Sequence, residues 1–178
     1  MQPRLSRLIL STLVTLAILV ALEIATSALL PALGWRDYRL AFNVVIILFM
    51  ALKVTTPLLP WFVVSLQLVH SAFSMEGWAL GTLVGIFVSL IASYLKEVLQ
   101  FSSAIATIIT VQLFQIVWYL GTVSIICLKI GSFEKFGLLF GNAIPSTFLL
   151  SLISPLLFNL LDKVWAVENE VGRSGVEI

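Results

Sequence analysis

Between Leu8 and Leu30 the chain places one charged residue, Glu23, in an otherwise unbroken apolar run. A segment of about 20 apolar residues matches the roughly 30 Å hydrocarbon core of a bilayer when helical, and inside hydrocarbon only a helix or a closed barrel satisfies every backbone amide. The run is continuous rather than alternating, which dictates a helix. Comparable runs follow at 40–57, 61–74, 78–95, 104–128 and 141–161. Together they predict an all-α fold, a polytopic membrane bundle of about six transmembrane helices filling a single domain over 1–165. Composition agrees: 60% hydrophobic and 11% charged residues, with a mean hydropathy of +1.11, leave too little polar surface to coat a soluble globule. Membrane lipid is therefore the first partner this chain requires.

The interruptions between runs carry the topology. Arg4 and Arg7 precede the first run and Pro31 and Gly34 close it. Its length exceeds the roughly 7–15 residues of a secretory h-region, so a retained span is expected rather than a cleaved signal. Lys53, Pro57 and Pro60 mark a turn after which the third segment, 61–74, is at the lower edge of spanning length. Lys96-Glu97 ends the fourth run, Ser102-Ser103 supply a cap for the fifth, and Asp162-Lys163 end the sixth. The polar tail, 166–178, carries Glu168, Glu170, Arg173 and Glu177 without an apolar face and is expected to be disordered. With both termini cytoplasmic, that side holds Arg4, Arg7, Lys53, Lys96, Lys163 and Arg173, against Arg36, Arg39, Lys129 and Lys135 on the other, the bias the positive-inside rule requires. Trp35, Trp61, Trp78, Trp118 and Trp165 fall mostly near predicted helix ends, as headgroup-level anchors do.

The sharpest pattern lies on the fourth helix, where Gly77, Gly81, Gly85, Ser89 and Ser93 recur every four residues. One stripe of that helix has almost no side chains. In lipid no hydrophobic effect draws helices together, so close backbone approach over small residues is a main source of packing energy. The ladder predicts a tight helix contact, either within the chain or with a partner's helix.

Polar residues inside spans are few. Gln67, His70, Ser71 and Ser74 share one face of the third segment, and Gln112 and Gln115 begin a face continued by Trp118 and Tyr119 on the fifth. Both faces read as interhelical hydrogen-bonding sets that could also line a small polar site. Glu23, late in the first span, is expected to reach toward the headgroups. Cys127 and His70 are the sole cysteine and histidine, so the sequence offers no disulfide, no metal-ligand spacing and no expected cofactor. A net charge of +1 without a basic cluster gives nucleic acid no footing. No Ser/Lys, HExxH or paired-aspartate pattern points to an enzyme, and no inverted repeat points to a complete transporter.

The length, the Pro60-led third segment, the Gly77, Gly81 and Gly85 ladder, and the closing stretch from Ser154 and Pro155 through Asn159 to Asp162 resemble the MreD family of bacterial rod-shape-determining membrane proteins. Sequences of that family tend to carry an aspartate shortly after the last ladder glycine, which this chain lacks. The resemblance implies a non-enzymatic scaffold subunit of the peptidoglycan elongation machinery in the bacterial cytoplasmic membrane. Its implied partner is an MreC-like bitopic protein, and through it MreB, RodA and a class B penicillin-binding protein. The rival expectation is the S-component of an energy-coupling-factor importer, also a bundle of about six helices, which would bind a vitamin or metal with Gln67, His70, Gln115, Trp118 and Tyr119.

Overall fold

The computed structural model describes residues 2–32, 34, 40–54, 58–74, 77–96 and 103–173, with side chains described between Leu8 and Trp165. Six helices occupy these residues: α1 (Gln2–Ala32), α2 (Phe42–Lys53), α3 (Leu59–Ser71), α4 (Trp78–Leu95), α5 (Ala104–Ile130) and α6 (Phe136–Arg173). Local chemistry sets several boundaries. Pro60 sits in the first turn of α3, where its missing amide costs nothing. Ser103 is extended ahead of α5 and its hydroxyl accepts the Ala106 amide at 3.2 Å, the N-cap arrangement. Gly131 ends α5 at φ +73°, and the amides of Gly131 and Ser132 turn back to the carbonyls of Leu128 and Cys127, which a residue with a Cβ would do under strain.

Two helices differ from the lengths the apolar runs predict. Four helices are long and apolar enough to cross a membrane, whereas α2 has 12 residues and α3 has 13. At 1.5 Å per residue these rise only about 18–20 Å. The cause is local: Val54 leaves α2 in an extended conformation one residue beyond Lys53, and Pro60 fixes the start of α3. The third run also stops early, because Ala72 and Phe73 form a turn and Ser74 lies outside the helix. At the other end of the chain, α6 continues past Trp165 to Arg173, so the tail does not lose helical form at 166 as expected. Nothing in Ala166–Glu170 breaks a helix; residues 174–178 lie outside the described residues.

The short α2 is the axis of the molecule. Every residue from Phe42 to Leu52 is buried. Around it α1 packs on α3, α3 on α4, α4 on α5, α5 on α6 and α6 back on α1, and each of the five also touches α2. A helix apolar on all sides has to be surrounded on all sides or face lipid, and here it is surrounded. We call the end where α2 finishes and α3 begins basal, and the opposite end distal. The basal end is fastened by aromatic packing, with Phe49 edge-on to Phe158 at 5.4 Å and Phe62 edge-on to Trp165 at 6.0 Å. Lys53 of α2 meets Asp162 of α6 at 3.2 Å, both half-exposed.

Trp165 corrects one expectation. It is buried and its indole N–H donates to Thr15 Oγ1 at 3.0 Å, tying α6 to α1. Trp118 is likewise buried, so these two are packing residues, while Trp61 and Trp78 are exposed at helix starts. Trp35 lies outside the described residues. Trp165→Phe keeps the ring packing but removes the donor, and should cost about 0.5–1.5 kcal/mol, measurable by reversible unfolding in mixed micelles.

Candidate functional site in the polar interior

The small-residue ladder on α4 faces into the bundle. A Cβ on Gly85 would lie 2.9 Å from Val63 Cγ1, 3.3 Å from Ile47 Cδ1 and 3.4 Å from Trp118 Cη2. Three helices, α2, α3 and α5, therefore converge on that glycine. A Cβ on Gly81 would meet the side-chain carboxamide of Gln67. Ser89 is buried with its hydroxyl donating to the Ile86 carbonyl, and Ser93 donates to the α2 carbonyl of Ala51 at 3.4 Å. Gly77 does not extend the stripe. It precedes α4 at φ +73° with open space where a Cβ would be, so its role is the backbone turn into the helix.

The meeting point at Gly85 sets a register for the polar residues. One turn toward the distal end along each helix lie Asn43 from Ile47, Gln67 from Val63, Gly81 from Gly85 and Thr122 from Trp118. Asn43, Gln67 and Thr122 are only 1%, 2% and 2% exposed. Each has a buried atom without a hydrogen-bond partner among the described residues: Asn43 Oδ1, Gln67 Nε2 and Thr122 Oγ1. Thr82 Oγ1, next to Gly81 in sequence, is in the same condition. An unpaired buried polar group costs roughly 1–3 kcal/mol, so a layer of them is a feature that packing alone does not account for.

At the edge of this layer, nearly one further turn along α3, His70 Nδ1 lies 2.8 Å from Glu23 Oε1 of α1, and the two side chains are 13% and 10% exposed. With the proton on Nδ1 the imidazole donates to the carboxylate. Glu23 thus does not reach for the headgroups as the sequence predicts. Its partner is 47 residues away and was not foreseeable from local pattern, although both residues are isolated titratable groups within apolar runs. Ser71 does not join them; its hydroxyl turns back to the Leu68 carbonyl of its own helix.

The polar face of α5 divides in two. Gln112 Nε2 donates to Thr147 Oγ1 of α6 at 3.1 Å, and that hydroxyl donates onward to the Ile144 carbonyl at 2.7 Å. Gln115 is fully buried, and neither its amide nitrogen nor its oxygen has a partner among the described residues. Pro155 removes the α-helical donor to the Ser151 carbonyl, and Ser154 Oγ supplies a replacement at 2.6 Å.

A concavity of about 170 Å³ opens at the basal end between α1, α3 and α6, reaching down to Met50 of α2. Its hydroxyls already donate, Thr12 to the Leu8 carbonyl and Ser65 to the Trp61 carbonyl, and its lining is mainly apolar. Among the described residues no group of three or more His, Cys, Asp or Glu comes together as metal ligands would. No family model matches the chain, and no curated protein or solved structure matches it either.

Proposed function

We propose that this protein is a non-enzymatic membrane scaffold that holds the transmembrane helix of a partner against its bundle. The observation that carries this reading is an outward stripe on the distal part of α6. Gly137 and Gly141 are four residues apart and exposed, with nothing within 4 Å of where either Cβ would stand. Pro145 follows at the same spacing and removes the amide that would bond to the Gly141 carbonyl. A bare stripe with an acceptor beside it is what a second helix needs for close approach in lipid. The ladder on α4 cannot serve this purpose because α2, α3 and α5 already occupy it. In the setting implied by the MreD resemblance, the partner is an MreC-like bitopic protein linked to MreB, RodA and a class B penicillin-binding protein in the bacterial cytoplasmic membrane.

This reading is tested by photocrosslinking. Photoreactive residues at Gly137 and Gly141 should yield an adduct with a single-span protein, and the same probe at Ser89 should yield none. Gly137→Leu with Gly141→Leu should leave the bundle folded yet weaken partner recovery about tenfold, the effect of losing about 1–2 kcal/mol of helix contact. Undiminished recovery from the double variant would overturn the proposal. For topology, six crossings with α2 and α3 as short inner spans put both termini in the cytoplasm, so impermeant reagents added outside cells should fail to reach a tag at either terminus.

The importer reading draws on the unpartnered carboxamides around Gly81. Saturable vitamin binding to the purified chain, lost on His70→Ala, would replace the scaffold proposal with it.

A further inference from the structure

The distal polar layer has chemistry that neither packing nor partner docking uses. It presents an unpaired acceptor on Asn43, an unpaired donor on Gln67 and an unpaired hydroxyl on Thr122, contributed by three different helices at one level of the bundle. Gly81 leaves the room in which the Gln67 carboxamide sits. One turn further out stand Glu23 and His70, about a tenth exposed, so polar groups continue from the distal rim to the central helix. A level closer to the basal end, the groups that meet at Gly85 are hydrocarbon, from Ile47, Val63 and the Trp118 ring, and they separate this layer from the buried Gln115 one turn deeper on α5.

We propose that this column is a water site: a small group of water molecules enters past the Glu23–His70 pair and bonds to Asn43, Gln67 and Thr122 around Gly81. Water suits these groups because it donates and accepts at once, and buried water characteristically makes about three hydrogen bonds to groups that would otherwise be unpaired. A charged solute does not fit, since the inner layer is made of neutral amides and hydroxyls, and a charge there would stand unpaired in low dielectric. The site is independent of the α6 stripe, and its failure would leave the scaffold reading untouched.

Cysteine accessibility tests it, because a thiol reacts with methanethiosulfonate reagents as the thiolate, which forms only where water reaches. With Cys127 replaced by Ala, single Cys substitutions at Asn43, Gln67 and Thr122 should react with small methanethiosulfonate reagents. Substitutions at Ile47 and Val63, one turn deeper, should react at least tenfold more slowly. Equal, slow reaction at all five positions would overturn the proposal. Because Cys variants can perturb a bundle, the unsubstituted chain in nanodiscs supplies a second readout by X-ray hydroxyl-radical labelling. Bound water should make Leu66, buried in α3 beside Gln67, oxidise faster than Leu161, equally buried near the basal end. Equal rates at the two leucines would mean that the column is dry.

Discussion

Gly85→Leu should abolish folding, whereas Gly137→Leu should leave stability unchanged. At Gly85 even a methyl group would press on Val63, and would sit tightly against Ile47 and Trp118. These neighbours come from three helices, and Ile47 and Val63 are fully buried, so none can retreat without moving another. Overpacking of this kind costs roughly 1–3 kcal/mol for a modest enlargement. Gly85→Ala should therefore fold with that loss, and Leu, four carbons larger than hydrogen, should exceed what the bundle can absorb. Gly81→Ala is expected to be milder than Gly85→Ala, because the obstacle is the mobile end of one glutamine and Ala gains up to about 1 kcal/mol of helix propensity. The measurement is the fraction of monodisperse protein after extraction, followed by unfolding free energies for the Ala variants. A well-folded Gly85→Leu would mean that α4 does not contact α2, α3 and α5 at that residue.

The same contact shows how far the sequence could be read. Element positions were legible because lipid imposes long apolar runs with charged or proline-bearing breaks, and α4 occupies 78–95 as the run predicts. The tight contact implied by the ladder was legible too, since only close backbone approach explains small residues at every fourth position. Which helix stands in the middle was not. In a soluble protein the all-round apolar character of α2 would mark it as a core helix, but in a bilayer lipid is as apolar as a protein interior, so the pattern says nothing about which side faces which. Nor was the shortness of α2 legible, because the apolar run over 40–57 is long enough for a span and only the break at Val54 reduces the helix to 12 residues. For the polar interior, Gln67 and His70 were identifiable as neighbours on one face. Asn43 and Thr122 were not, because what joins them to Gln67 is the register of separate helices meeting at Gly85.

The Glu23–His70 pair should dominate the attachment of α1. That helix carries many exposed apolar side chains, among them Leu10, Leu13, Ile24 and Leu29. Its described polar ties to the rest of the bundle are the Trp165–Thr15 bond, the Ser11 hydroxyl on the Val164 carbonyl and this pair. Of these described polar ties, the pair is the one in the distal half. Removing one member of a buried pair costs about 3–5 kcal/mol, since the other is left without its partner. Both side chains are slightly exposed, which places the expectation just below that range. Glu23→Leu and His70→Leu should each destabilise by about 2–3 kcal/mol. The double variant should lose distinctly less than the sum, because replacing both groups by apolar ones of similar size removes the unpaired charge altogether. Glu23→Gln, which retains an acceptor for the Nδ1 proton, should fall between the native chain and Glu23→Leu. A double-mutant cycle on unfolding in mixed micelles gives the coupling directly, and additive losses would show that the two side chains do not interact in the membrane.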